Sequence, residues 1–421
     1  MIRKIAALAA STSLLALSAA AQNLVIQNAN LFDGETVREN ATLVIRDGLV
    51  VAWADEDDVP SGLDMVDADG AWVTPGIFSS FTRTGIVEVG AEDSTNDTAA
   101  AQSKFGASLD MSDAFNPAST VIDVTRIEGV THMAVAPSLG SSLFGGQGFI
   151  ATTTGEPGSI VKERAFTFVN LGEGGAGLAG GSRPAAWATF RASLGDARAF
   201  PARYIASREG DVLSRLDAQA LARAARGEQL MLISASRESD LRQIIALKQD
   251  NPNLEIVIVG AQEGWMAAEA LADADIPVII DPYDNLPSSF AQLGATQQNA
   301  ARLIEAGVQT AFAYFDDNSH QTRLVLQSAG NAVGSGVDHT DALRAVTSVP
   351  ADIFGIEGAG RLTTGSAGDI VIWDGDPLDV RSAPVRVYID GEEQSMESRQ
   401  TKLRDRYINL DESERPLAYR R

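Results

Sequence analysis

Val73-Thr74-Pro75-Gly76-Ile77-Phe78-Ser79-Ser80-Phe81-Thr82-Arg83 marks the point where one sequence pattern ends and another begins. Upstream, from Leu24 to Val73, short apolar runs are separated by turns: Leu24-Val25-Ile26, then Ala41-Thr42-Leu43-Val44-Ile45, then Arg46-Asp47-Gly48 before Leu49-Val50-Val51-Ala52-Trp53. An Asp-Gly pair between two such runs is a hairpin signal. The pattern returns near the other end, where Asp369-Ile370-Val371-Ile372-Trp373 leads to Asp374-Gly375-Asp376-Pro377, and Val385-Arg386-Val387-Tyr388-Ile389 leads to Asp390-Gly391. The two ends are therefore expected to meet in one small β-sandwich, built from 22–74 and 359–393.

Between Pro75 and about Gly358 the pattern changes. Apolar strand-like runs (Met133-Ala134-Val135-Ala136, Leu230-Met231-Leu232-Ile233, Ile256-Val257-Ile258-Val259, Pro277-Val278-Ile279-Ile280 and Thr310-Ala311-Phe312-Ala313-Tyr314) alternate with stretches rich in Ala, Leu and Gln. Repeated strand, helix, strand order implies a parallel sheet covered by helices, and the span is close to the ~250 residues of a (β/α)8 barrel. The fold class expected is α/β, a TIM-like (β/α)8 barrel over 75–358 with the sandwich attached; a doubly wound sheet is the alternative. The glycine-rich run Gly172 to Gly181 lacks the Lys of a phosphate loop and reads as a flexible surface loop. Gly145-Gly146-Gln147-Gly148 reads as a tight barrel loop near a strand end.

With 421 residues, 45% hydrophobic and 21% charged, the chain can bury a large core, which excludes a mainly disordered protein. Met1-Ile2-Arg3-Lys4, an apolar run from Ile5 to Leu17 and Ser18-Ala19-Ala20-Ala21 read as a secretory signal over 1–21, and hence a periplasmic location. No later segment offers the ~20 apolar residues of a membrane span. The absence of cysteine excludes disulfides, thiolate metal sites and cysteine nucleophiles, and fits that compartment. The formal charge is −23, and becomes −25 when Arg3 and Lys4 leave with the signal. Such a surface repels phosphate backbones and anionic lipid, so neither a nucleic-acid nor a membrane partner is expected.

The opening stretch resembles the entry to the amidohydrolase barrel, where a Val-x-Pro-Gly-Leu-Ile-Asp segment leads into a His-x-His pair on the first strand. Glu128-Gly129-Val130-Thr131, Asn299-Ala300-Ala301-Arg302-Leu303, Ala342-Leu343-Arg344-Ala345-Val346-Thr347, Pro350-Ala351-Asp352-Ile353-Phe354-Gly355 and Gly360-Arg361-Leu362-Thr363-Thr364-Gly365 extend the likeness over nearly the whole mature chain. By pattern it is most similar to the imidazolonepropionase-like secreted members. The resemblance implies a divalent metal at the C-terminal mouth of the barrel that polarises an amide carbonyl and lowers the pKa of a bound water. Its ligands would be the His-x-His pair, histidines on strands 5 and 6, sometimes a carboxylated Lys on strand 4, and an Asp on strand 8.

Carried onto this chain, those positions hold other residues. Phe81 and Arg83 stand for the His-x-His pair, Ser79 for the Asp, Ser234 for the strand 5 histidine, and Val259 or Gly260 for the one on strand 6; the strand 8 acid is Asp316 or Asp317. The expectation is an amidohydrolase-like hydrolase of non-peptide C–N bonds whose metal site is degenerate, with no metal and no cofactor. Such a pseudoenzyme would form a homo-oligomer or pair with an active amidohydrolase subunit. The alternative is a non-catalytic periplasmic protein that binds a small molecule, and a third reading is a metal-free mechanism built on acids.

The candidate catalytic residues are accordingly Asp316 and Asp317, and the candidate ligand contacts are Arg83, Ser234, Glu88 and His320. Arg83 either pairs with Asp316 or Asp317, balancing the former metal site, or points to solvent. The chain has three histidines. His132, inside an apolar run, reads as a core residue or a migrated ligand; His320 as a mouth or loop residue; His339, after Asp338, as part of a helix start. In the tail, 394–421, the basic run from Ser398 to Tyr407 would dock on an acidic subunit face or stand as a solvated helix.

Overall fold

The computed structural model describes residues 23–53, 62–205, 211–316 and 319–408; the expected signal over 1–21, Asp317 and the last thirteen residues lie outside that set. The chain opens with β1 (Leu24–Phe32), β2 (Val37–Arg46), β3 (Leu49–Trp53), β4 (Asp64–Asp67) and β5 (Trp72–Pro75). Eight strands follow: β6 (Ile77–Thr82), β7 (Val130–Val135), β8 (Phe144–Thr152), β9 (Ile160–Asn170), β10 (Leu230–Ala235), β11 (Ile256–Gly260), β12 (Val278–Ile280) and β13 (Thr310–Phe312). It closes with β14 (Ile370–Trp373), β15 (Pro384–Ile389) and β16 (Glu392–Glu393).

The first and last groups share one sheet in the order β16-β15-β14-β5-β1-β2-β3, with β4 also against β1. The chain ends join where β14 runs antiparallel to β5, pairing Ile370 with Pro75 and Ile372 with Val73. Both Asp-Gly signals are turns of this sheet. Asp47 (φ 51) with Gly48 (φ 78), and Asp390 (φ 52) with Gly391 (φ 74), take the two positive φ angles that a tight two-residue hairpin requires.

The middle eight strands form the second sheet in chain order. It closes toward a barrel where Ser80 Oγ donates to the Phe312 carbonyl at 2.7 Å, bridging β6 and β13. Side-chain alternation separates its two faces. Phe78, Ala134, Phe166, Phe168, Leu232, Val257, Val259, Ile279 and Ala311 pack inside. Ile77, Met133, Val135, Met231, Ile233, Ile256, Ile258, Val278 and Phe312 pack outward in the cluster that includes the helices. Large rings from β6 and β9 thus face small alanines of β7 and β13, and Phe354, ending the helix Ser348–Phe354, fills the interior from below.

The third strand departs from the parallel pattern. β8 is antiparallel to both β7 and β9, with no helix on either side of it. Gly145, Gly146 and Gly148 therefore lie within a strand and not in a tight loop. The reason is packing: a Cβ on Gly148 would lie 2.1 Å from Cζ of Phe166 on the neighbouring strand. The run Gly172–Gly181 likewise holds a short helix, Glu173–Leu178, that a side chain at Gly175 would push off, since its Cβ would fall 1.7 Å from the Asn170 carbonyl oxygen. Here glycine serves close approach and not looseness.

His339 opens the helix His339–Arg344, with Asp338 as N-cap accepting from the Thr340 N–H at 2.8 Å. Its Nε2 lies 2.9 Å from the carboxylate of Asp376, in the segment between β14 and β15. That hydrogen bond raises the His339 pKa. Among the described residues, no helix is long and apolar enough to cross a membrane.

Candidate functional site

The strand ends of β6, β9, β10 and β11 surround a cavity of about 390 Å³ at the C-terminal mouth of the barrel, the end where such barrels carry their sites. Arg83, Asn170, Ser234, Ser236 and Gln262 supply its polar lining, while Phe81, Phe168, Val259 and Phe315 supply the apolar part. Arg83 and Ser234, read from the sequence, are therefore brought together here. The aromatic rings meet one another: Phe81 lies 5.6 Å from Phe168 and 5.7 Å, edge-on, from Phe315. The Arg83 guanidinium lies 5.6 Å from the centre of the Phe81 ring. Burial lowers its pKa to about 10, which leaves it charged at neutral pH.

Asn170 ends β9 and organises the polar rim. Its Oδ1 accepts from the N–H groups of Gly172 (3.0 Å) and Gly175 (2.9 Å), and its Nδ2 donates to Ser234 Oγ at 3.2 Å. Gln262 is 7% exposed; its Nε2 donates to Asp284 Oδ2 at 2.7 Å, and its Oε1 is buried without a hydrogen-bond partner among the described residues. An unpaired buried acceptor is costly, so a ligand N–H at this point would be stabilising. Neither amide was singled out from the sequence, because an isolated Asn or Gln carries no spacing signal.

Asp281, at the end of β12, braces the mouth from behind. It accepts from the N–H groups of Tyr283 (2.9 Å) and Phe315 (2.8 Å) and from Ser328 Oγ. Burial raises its pKa, against the lowering effect of those three hydrogen bonds. Through the Phe315 N–H it fixes the segment whose ring walls the cavity. Sequence reasoning missed it, although an acid directly after the apolar run Val278-Ile279-Ile280 is a readable mark of a strand end.

The other nominated residues lie elsewhere. Asp316 is exposed and outside the cavity lining, and Asp317 is outside the described residues. The Glu88 carboxylate accepts from Asn116 Nδ2 at 2.7 Å and Ser119 Oγ at 2.9 Å, and does not line the cavity. His320 joins Glu88, its Nε2 lying 3.0 Å from the Glu88 carbonyl oxygen and its Nδ1 2.8 Å from Ser319 Oγ. A hydroxyl cluster, Thr82, Thr84 and Thr322 with oxygens 2.6–3.0 Å apart, ties the end of β6 to the segment after β13.

A family model for the amidohydrolase family matches residues 241–399. The amidohydrolase tasK of Hapsidospora irregularis is 24% identical over 419 residues, a match covering 87% of this chain and 42% of that protein. The chain thus spans about two fifths of the length of this curated relative. An amidohydrolase from Thermotoga maritima MSB8 superposes with a TM-score of 0.77 at 23% identity, over 88% of this chain and 99% of that one. Molinate hydrolase gives 0.52 at 16% identity, over 90% and 95%. With the barrel and the terminal sheet already in view, these findings give the chain the fold of the amidohydrolases and a match to their family model over residues 241–399.

Proposed function

We propose that this chain keeps the amidohydrolase barrel as a small-molecule binding site that works without a metal, on a fold whose ancestral chemistry is hydrolysis of a non-peptide C–N bond. The observation that supports it is the donor set at the mouth. Among the described residues the cavity is lined by guanidinium, amide, hydroxyl and aromatic groups, with no imidazole or carboxylate. A catalytic zinc takes three protein ligands from imidazoles, thiolates and carboxylates and leaves a position for water. Amide and hydroxyl oxygens are poor substitutes, and a charged guanidinium beside them repels a second cation. The residues present do not fit the metal. What they do fit is an uncharged or anionic ligand with a flat apolar part against Phe81, Phe168 and Phe315, and an N–H for Gln262 Oε1.

Elemental analysis of protein purified without chelator tests this. Expected is far less than one zinc per chain, with no hydrolysis of simple amides and no change in melting temperature on adding chelator. One zinc per chain, lost together with amide hydrolysis in Asp316→Ala or Asp317→Ala, would refute the reading.

A further observation supports a role as a subunit, in keeping with export to the periplasm under the Met1–Ala21 signal. The helix Arg399–Ile408 buries none of its side chains, exposes Leu403, Tyr407 and Ile408, and carries Arg399, Lys402, Arg404 and Arg406 on a strongly acidic chain. An acidic face of a second copy, or of an active homologous subunit, complements it. Light scattering at micromolar concentration is expected to show a dimer that dissociates when the chain is cut after Glu397. A monomer, with no barrel protein recovered in a periplasmic pull-down, sinks the subunit role.

A further inference from the structure

At the opposite end of the barrel, a cavity of about 410 Å³ opens between the barrel floor and the terminal sheet, lined in part by His132, Val161, Lys162, Ile356, Asp369 and Asp390. We propose that it is a binding site for a small organic ammonium ion, held by the carboxylates of Asp369 and Asp390 beside His132. It shares no residue with the mouth cavity and does not depend on the reading given for that cavity.

Asp369 is 2% exposed and enters β14 from the sheet side. Its Oδ1 accepts the Asp390 N–H at 2.9 Å, across the Asp390-Gly391 hairpin turn. Its Oδ2 is buried and makes no hydrogen bond among the described residues. His132 Nδ1 stands 3.4 Å from that oxygen, and lies 3.2 Å from Thr131 Oγ1. A buried carboxylate oxygen left open is costly unless something donates to it.

The charge around it is unbalanced. Burial holds His132 down at about 4, so the ring is neutral at pH 7. Burial pushes Asp369 up to about 6, and Asp390 is raised by burial and by the Asp369 charge. At neutral pH the Asp369 carboxylate is thus mainly ionised. Glu357 adds a third acid at the exposed rim. The nearby cation, Lys162, directs its Nζ to the Phe354 carbonyl at 2.6 Å.

The cavity asks for a cation that brings its own N–H donors. Among the described residues, no group of three His, Cys, Asp or Glu side chains is placed to hold a metal ion. An ammonium group needs no such convergence, since one N–H can meet Asp369 Oδ2 while another turns to Asp390. Val161, Ile356, Ala359 and Ala367 line the same space and suit the carbon chain of an alkylamine.

Calorimetric titration of the full chain with n-butylammonium at pH 7.5 tests the site, with n-butanol, butyrate and KCl at matched ionic strength as controls. Expected is saturable binding of the ammonium alone, weakened about tenfold or more by Asp369→Asn, which keeps an acceptor for the Asp390 N–H while removing the charge. Asp390→Asn, at the exposed edge, is expected to weaken it less and serves if the buried variant does not fold. Absence of saturation, equal binding of n-butanol, displacement by K⁺, or unchanged affinity in both variants would each overturn the proposal.

Discussion

Replacing Phe354 by alanine is expected to lower the unfolding free energy by about 3–5 kcal/mol, the range for emptying a large aromatic site in a closed core. The ring is 1% exposed and fills the barrel interior between Phe78 (5.7 Å, stacked) and Phe166 (5.6 Å). It belongs to the buried cluster that fills the barrel interior, so the walls have little room to collapse, and the cost falls at the upper end of what a lost side chain can do. Urea unfolding of the wild type and of Phe354→Ala, followed by circular dichroism, gives the difference directly. A loss under about 1 kcal/mol would mean that the interior is not packed as described. Phe354→Leu, which leaves a smaller void, is expected to fall between the two.

The second large effect is expected at Asp281. Asp281→Ala strands two backbone N–H groups and the Ser328 hydroxyl in a buried place, at a cost of about 2–5 kcal/mol, and frees the Phe315 segment from the mouth. Asp281→Asn keeps an acceptor and is expected to lose less than half of that. The pH dependence has a definite sign. The folded pKa is raised above the ordinary value of an aspartate, so the contribution of this group is full below that ordinary value and declines as pH rises through the folded pKa. Acidification from pH 7 should therefore favour the wild type over Asp281→Asn. Parallel stability–pH curves for the two proteins would contradict the buried, ionisable role given to the side chain.

The terminal sheet and most barrel strands were legible because each rests on a local signal. Asp-Gly turns need positive φ at both residues, and apolar runs of four or five residues between helical stretches leave a buried parallel strand as the economical solution. β8 was not legible for a physical reason. Its glycines look like turn residues in isolation, and only distant partners, the rings of Phe166 and Phe168 on the next strand and the Leu109 carbonyl over Gly146, explain why side chains are excluded there. The site divides in the same way. Arg83 and Ser234 could be placed at strand ends by their position after apolar runs, and both line the mouth. Asn170, Gln262 and Asp281 each reach a partner distant in sequence: the Ser234 hydroxyl, the Asp284 carboxylate and the N–H of Phe315, the last thirty-four residues from Asp281. Nothing in their immediate neighbours records that partnership.

The reversed third strand also bears on how the barrel assembles. Parallel neighbours need a long crossover before they can pair, whereas β7, β8 and β9 form a meander from Val130 to Asn170 with two short connections. Loop closure is entropically cheap over such spans, so pairing here carries low contact order within a fold otherwise dominated by distant contacts. The meander can gather three of the eight staves before any crossover helix has docked. The remaining parallel strands then have an edge on which to add in turn, from β10 onward, until β13 reaches Ser80.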